Sequence, residues 1–474
     1  MTSTDNSLIN VPLVDKKSSL QQSTYGYPTL LFLCLNFNIG VLLVILPRAV
    51  AHAGWLLSSV FIILVTLVCI LSLYFLCESM TRAIAIKRFF RHESGELTYF
   101  DLPKAHLYMT KSLQINETLE ILFSTKAKVI YQWLFFIFEV AVLWNFTSVF
   151  SVSFTHLIDL PFFAHSLCDA NGKGYSDSCL SQYFFWLVCF SVVAVTMSLK
   201  NLEEQAFVQY FLTFFRGIVV VIIIVTCVIA MVTGKFSSHK ITDVTPVPMF
   251  DSSGFGMLFG TVILSQVIHH GVPSLSSPCR KKQHIARVLS FALVITCTLY
   301  IVVSIIATRV FGQEIRTIMS LEWIRYTGGY DNPPTWALIL SYTVACFPPV
   351  DIISAFPLGA VTLANTLLAG YGDENKKKHI VISRLVASLP PLLLAATRLP
   401  VALISEIGGL FGFFICFCIP PLAVLKSRKL CKQMAIGQEY STTDYDLLRH
   451  PVFPYTVMVF GIFGFFLSIF MLFK

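Results

Sequence analysis

Long runs of apolar residues, separated by charged or proline- and glycine-rich connectors, dominate the sequence. A helix needs roughly 20 apolar residues to cross about 30 Å of hydrocarbon, because each residue advances it by about 1.5 Å. The runs that meet this requirement predict eleven spans, at residues 28–50, 56–80, 129–158, 182–199, 206–233, 253–275, 288–311, 335–357, 379–397, 399–425 and 452–473. We therefore expect an all-α integral membrane protein, in agreement with 55% hydrophobic and only 13% charged residues.

The sequence predicts one membrane domain with a short tail. Residues 1–27 are polar and lack the pattern of a signal peptide, so we expect a cytosolic N-terminal tail. Residues 28–473 then form a single transmembrane domain, because the connector at 82–128 has too few apolar residues for a core of its own. The lipid bilayer is the first partner that the sequence predicts.

Lysine and arginine residues concentrate in the connectors on one side of the predicted membrane. If the N-terminus is cytosolic, 23 of the 34 basic residues lie on the cytosolic side, nine lie on the other, and Arg216 and Arg384 lie within spans. Because cytosolic connectors are enriched in lysine and arginine, we expect a cytosolic N-terminus and an outer or lumenal C-terminus. Attraction to anionic lipids explains the net charge of +8, so no nucleic-acid partner is expected.

The kind of membrane is left open by the sequence. The stretch DYDLL at residues 444–448 matches an acidic dileucine sorting signal, but such short strings also arise by chance. The plasma membrane and an endolysosomal or vacuolar membrane are both compatible with the sequence.

Two cysteines lie in the connector that follows span 3, on the predicted outer side. Cys168 and Cys179 bracket the sequence DANGKGYSDS, and an oxidising compartment permits a bridge there. We therefore predict a Cys168–Cys179 disulfide, whereas most of the other cysteines lie in spans or on the cytosolic side and are expected to be reduced.

Two spans contain residues that interrupt a smooth helix. Span 1 carries NFNIG at residues 36–40 and then Pro47, and span 6 carries SQVIHHGVP at residues 265–273. Irregular backbone at membrane depth is tolerated where it lines a protein-enclosed cavity, so paired breaks indicate a transport site. The predicted substrate-binding residues are Asn36, Asn38, Ile39, Gly40, Gln266, His269, His270 and Gly271. The alternative is that glycine and proline merely kink ordinary spanning helices.

The breaks fall at equivalent places in two sets of five spans. These sets cover about residues 28–233 and 253–425, they insert in opposite orientation, and the helix at 452–473 is an addition. A broken helix offers free N–H groups at one half-helix end and free carbonyl groups at the other, which suit a carboxylate and an ammonium group. The sequence thus favours a permease for amino acids or similar small solutes. No nucleophile–base pair, Walker loop or nucleotide fingerprint points to an enzyme.

Ionisable and hydroxyl groups within spans predict the coupling chemistry. Glu139 and Arg216 lie at similar depths, so we expect them to meet, with Glu139 carrying a coupling proton and Arg216 modulating it; a structural ion pair is the alternative. Ser341 and Thr343 are a possible sodium site together with carbonyls near Asn36 and Asn38, unless they satisfy their own helix.

The sequence also predicts the surroundings of the remaining ionisable groups within spans. Asp351 and Arg384 lie near predicted cytosolic span ends, where we expect snorkelling or mutual pairing. Adjacent His269 and His270 without a third ligand predict no metal site. No cofactor is expected beyond the coupling ion.

The first span also carries a family signature. Asn36, Gly40, Pro47 and Ala49, with the closing AGW at residues 53–55, resemble the first helix of the amino acid/auxin permease family, although Leu42 replaces its second glycine. The stretches FGTVILSQVIHHGVPSLSSP, FPPVDIISAFPLGAVTLANTL and ISEIGGLFGFFICFCIPPLAVLK are similar to its sixth, eighth and tenth helices. The segments HHGVPSLSSP and FPLGAVTL are most similar to the sequences of the transmembrane protein 104 branch of this family.

This resemblance implies a LeuT-like fold of two inverted five-helix repeats with one extra C-terminal helix. It also implies secondary active transport of amino acids by alternating access, driven by protons or sodium. The alternative is a transporter-like amino-acid sensor with little or no flux, which would signal through the connector at 82–128 and the tail at 433–449.

Overall fold

A computed structural model of the chain describes residues 25–93, 113–158, 177–200, 202–237, 244–276, 278–280, 283–371, 376–436 and 446–472. The described residues form helices and no named strand, and their strand-like contacts include one bridge between Tyr25 and Cys279. The prediction of an all-helical protein is therefore confirmed for this part of the chain.

The helices follow the apolar runs closely. In chain order they are α1 (Tyr27–Asn38), α2 (Leu42–Ala53), α3 (Trp55–Glu93), α4 (Ile115–Leu122), α5 (Thr125–Leu157), α6 (Asp177–Ser198), α7 (Leu202–Thr233), α8 (Phe255–Gln266), α9 (Val272–Ser276), α10 (Ile285–Phe311), α11 (Thr335–Ala345), α12 (Phe347–Tyr371), α13 (Lys377–Ala395), α14 (Val401–Phe413), α15 (Ile419–Gln433) and α16 (Val452–Leu472).

Ten helical segments are long and apolar enough to cross a membrane, and the bent pair α1 and α2 makes an eleventh. These segments agree with the spans expected from the sequence. The main difference is length, since α12 continues to Tyr371 and α15 to Gln433, beyond the apolar runs that predicted them. A helix continues past its apolar run because each further residue adds a backbone hydrogen bond at little cost.

Both predicted breaks are present. The chain bends by 55° between α1 and α2, where Ile39 has extended dihedral angles. In span 6, α8 ends at Gln266, and a short 3₁₀ helix at His269–Gly271 leads into α9. Pro47 lies inside α2 rather than at the break.

Glycines allow the helices that surround these breaks to approach closely. A Cβ atom on Gly260 of α8 would lie 2.6 Å from the Cα atom of Glu406 in α14, and a Cβ atom on Gly409 would overlap the backbone of Gly260. Small residues at such crossings let two backbones pack directly against each other. The helices α8 and α14 therefore pack directly against each other, which fixes the first half of span 6.

A buried ion cluster ties three parts of the chain together. Glu78 of α3 is fully buried and accepts hydrogen bonds from Arg428 of α15 at 2.8 and 2.9 Å, and Arg82 lies 2.9 Å from the same carboxylate. Arg428 also donates to the carbonyl of Leu448. Leu448 ends the DYDLL stretch and is buried, whereas residues 444 and 445 lie outside the described residues.

Candidate substrate site

A cavity of about 350 Å³ lies where the breaks in spans 1 and 6 face α5 and α12. Its volume is near the lower end of the range of roughly 300–1,000 Å³ that is typical of small-molecule sites. Its walls are mostly aromatic and aliphatic, with a few polar groups. This combination of an apolar surface and convergent polar groups is characteristic of a ligand site.

The cavity brings together residues from both predicted breaks. Asn36 and Asn38 of α1 line it, as does His270 of span 6, and Glu139 of α5 and Arg216 of α7 also contribute. The sequence predicted all five of these residues as substrate-binding or coupling groups. These residues therefore converge on one cavity, as expected for a site between the two breaks.

Other predicted residues lie next to the cavity rather than on its wall. They are Ile39, Gly40, Gln266, His269 and Gly271. A Cβ atom on Gly40 would lie 3.4 Å from Asp351 Oδ2, and one on Gly271 would lie 2.9 Å from the Phe37 ring. These two glycines therefore let α1 approach its neighbours.

The two polar side chains in this group are buried beside the break in span 6. His269 Nδ1 lies 3.1 Å from Cys416 Sγ, in a π-helical turn at Phe414–Cys418. The side-chain amide group of Gln266 makes no hydrogen bond to the described residues. Neither side chain contacts the cavity directly, so a role in binding would require a rearrangement.

Arg216 pairs with Asp351, and the expected pairing with Glu139 is wrong. Its Nε atom donates to Asp351 Oδ1 at 3.0 Å, Nη2 donates to the same oxygen, and Nη1 donates to both the carbonyl and the side-chain oxygen of Asn36. Both charged side chains are buried. Arg216 thereby fixes the end of α1 to α12.

The expected location of Asp351 at the end of its span is also wrong, for a simple reason. Because α12 continues to Tyr371, Asp351 lies near the middle of the span formed by α11 and α12. Arg384, its other expected partner, donates instead to the carbonyls of Leu199 and Lys200.

Glu139 lies on the cavity wall with its side chain buried. It is 3% exposed, and its Oε2 atom accepts no hydrogen bond within the described part of the chain. The nearest cationic candidate is His270, whose Nε2 atom is 3.9 Å away, beyond hydrogen-bond distance. An ionised carboxylate buried in this way is costly unless a proton or a cation neutralises it.

Aromatic rings and a glycine shape the surroundings of this carboxylate. The His270 ring is contacted by Phe37, Phe135 and Phe138, with centroids 5.2, 5.5 and 5.5 Å away. On α12, a Cβ atom at Gly359 would lie 2.5 Å from Glu139 Oε1. The absence of a side chain at position 359 therefore makes room for the carboxylate.

The two charged groups of the cavity lie at different levels along α12. Glu139 contacts Gly359, whereas Arg216 contacts Asp351, and these two positions are about 12 Å apart along a helix axis. The cavity therefore has one end with an acid and a neighbouring imidazole, and another end with a neutralised ion pair at the helix break.

Two further predictions involve residues outside the cavity wall. Ser341 donates to the Trp323 carbonyl at 2.5 Å, and Thr343 donates to the Ile339 carbonyl of its own helix at 2.7 Å. The sodium site therefore stays a prediction without supporting geometry. Cys168 lies outside the described residues, so the disulfide with the buried Cys179 also stays a prediction.

The apolar walls of the cavity include residues that the sequence did not single out. Val142 and Phe146 follow Glu139 at three and seven residues, a spacing that places all three on one face of α5. Leu358 and Gly359 complete the opposite wall from α12. The helical spacing from Glu139 would have identified the residues of α5, whereas nothing local marks those of α12.

Some ten or eleven apolar spans and a cavity between two broken helices are the features of a multi-pass membrane transporter. Residues 23–474 match the family model described as transmembrane amino acid transporter protein, and the chain belongs to this family. The sequence resemblance to amino acid permeases is thereby confirmed.

Several relatives carry the name transmembrane protein 104, as the motifs of spans 6 and 8 predicted. The Drosophila melanogaster homolog is 23% identical over 459 residues, covering 84% of this chain and 88% of the relative. The protein from Gallus gallus is 22% identical over 471 residues, covering 90% and 92%. The protein from Mus musculus is 24% identical over 443 residues, covering 83% and 86%.

Proposed function

We propose that the chain is a secondary active transporter that moves an amino acid across a membrane by alternating access and couples this movement to protons. The observation that carries the proposal is a cavity that both broken spans reach and whose wall contains Glu139, a carboxylate whose Oε2 atom accepts no hydrogen bond from the described residues. Family membership supports the general class, and the cavity supports the location of the site.

Helix ends supply the groups that would hold the charged ends of an amino acid. The positive end of α2 begins at Leu42, on the cavity wall, and suits a carboxylate. The negative end of α8 lies between Ser265 and Val267, which also line the cavity, and suits an ammonium group. The substrate would therefore be held mainly by backbone groups of the two breaks.

The position of Arg216 favours a proton over sodium as the coupling ion. Its guanidinium group, which carries a permanent charge, already binds the Asn36 carbonyl that the sodium hypothesis assigned to a cation. Glu139, by contrast, has an oxygen available to take and release a proton. His270 is close enough to exchange that proton with Glu139 after a small movement.

The chain would cross the membrane as two inverted repeats with its two termini on opposite sides. Breaks at equivalent positions of spans 1 and 6 favour two inverted repeats of five spans, with α16 as an extra helix. The excess of lysine and arginine favours a cytosolic N-terminus and an outer or lumenal C-terminus. The site would then alternate between the cytosol and the opposite compartment.

Flux of labelled amino acids into proteoliposomes tests this function. We expect saturable uptake by the unmodified protein and at least a tenfold loss in Gly40→Leu, because the new side chain would press on Asp351 and block the break. Gly217→Leu is the matched control, since a Cβ atom there meets no described atom within 4 Å and uptake should persist.

The same experiment separates transport from sensing. Substrate binding by the unmodified protein without measurable flux, at normal protein yield, would contradict the transporter proposal and favour the sensor. Full uptake by a well-expressed Gly40→Leu protein would contradict the location of the site.

A further inference from the structure

We propose that the cavity selects neutral amino acids with large apolar side chains, such as leucine and phenylalanine. This inference rests on the proposed function and adds the chemical class of the substrate. It follows from the walls of the cavity, from the positions of its charged groups and from its size.

The walls offer an apolar surface to a substrate side chain. Phe146 and Val142 project from α5, Ala355 and Leu358 from α12, and Phe37 from α1. A glutamine or aspartate side chain placed against these five apolar groups would exchange hydrogen bonds to water for apolar contacts, which disfavours its binding. An apolar side chain gains from the same surface in proportion to the area that it buries.

The charged groups of the cavity disfavour substrates with charged side chains. Arg216 is already paired with Asp351, so among the described wall residues the acid Glu139 is the one charged group without a counter-ion in hydrogen-bond contact. An acidic side chain would meet this carboxylate directly. A basic side chain would compete with the coupling proton for Glu139, so a neutral side chain leaves Glu139 free for the proton.

The dimensions of the cavity favour a large side chain over a small one. Glu139 and Phe146 are seven residues apart on one face of α5, which corresponds to about 10 Å. A volume of about 350 Å³ holds a single amino acid, and a small one would leave apolar walls without contacts. Leucine or phenylalanine would fill the apolar space that glycine leaves empty.

A panel of labelled substrates in proteoliposomes with an inward proton gradient tests the inference. We expect kcat/KM values for leucine and phenylalanine at least tenfold above that for glycine, a ratio within the range that apolar pockets achieve. Glutamate and lysine should be carried poorly. Preferred transport of glycine, glutamate or lysine would overturn the substrate class while leaving the transporter proposal intact.

Variants of the wall give a readout that is independent of protein yield. Ala355→Leu narrows the cavity, so the ratio of phenylalanine uptake to alanine uptake should fall at least tenfold. Phe146→Ala should also lower this ratio, because phenylalanine would lose apolar contacts with the wall. Phe463→Ala is the control, because this ring is 65% exposed on α16 and its removal should leave the ratio unchanged. An unchanged ratio in Ala355→Leu would overturn the inference, and absence of uptake for every amino acid by the unmodified protein would overturn the proposed function with it.

Discussion

Replacing Glu139 by glutamine should abolish accumulation of substrate driven by a proton gradient while leaving exchange of labelled for unlabelled substrate intact. Glutamine keeps the size of the side chain and fills the space beside Gly359, but it cannot release a proton. The variant would therefore behave as a permanently protonated carrier, which can exchange substrate but cannot use the gradient. We expect at least a tenfold loss of proton-driven accumulation.

The measurement compares concentrative uptake with exchange in the same proteoliposomes. Glu120→Gln is a suitable control, because Glu120 belongs to α4, pairs with Lys128 at 2.9 Å and lies away from the cavity wall. If Glu139→Gln still concentrates substrate when pH is the one driving force, Glu139 has a structural role and another group carries the proton.

Breaking the pair between Arg216 and Asp351 should be the most destabilising single change near the site. Asp351→Ala leaves a buried guanidinium without its carboxylate, and such losses cost about 3–5 kcal/mol of unfolding free energy. Arg216→Met should have a similar effect, because Asp351 would then be buried as an unpaired acid. The double variant Arg216→Met with Asp351→Leu should recover much of this loss, since removing both charges removes the desolvation penalty.

Thermal unfolding in detergent, read out by the loss of the monodisperse protein, measures these effects. Lys128→Ala provides the comparison, because its pair with Glu120 is more exposed and is expected to contribute about 1 kcal/mol or less. Equal losses in Lys128→Ala and Asp351→Ala would show that burial of the Arg216–Asp351 pair has no special importance for stability.

The spans and their breaks could be predicted because both depend on local composition. A run of roughly 20 apolar residues indicates a membrane-spanning helix. The segments NFNIG and VIHHGVP interrupt two such runs with polar residues, glycine or proline. The structure places breaks at Ile39 and after Gln266, within these stretches.

The partners of the charged side chains could not be predicted in the same way. The depth of a residue depends on where its helix ends, and α12 extends 14 residues beyond the apolar run that ended at 357. The direction in which each side chain points from its helix matters as well. Glu139 and Arg216 line the same cavity, yet they contact different levels of α12. Depth estimated from sequence was therefore sufficient to find the cavity residues but not their pairings.

Proton movement that accompanies amino-acid entry is the most direct test of the whole account. Proteoliposomes with a pH-sensitive dye inside, a clamped membrane potential and no sodium should acidify when leucine is added outside, and acidification should be lost in Glu139→Gln. Entry of leucine without acidification, or entry that requires a sodium gradient, would contradict proton coupling through this cavity.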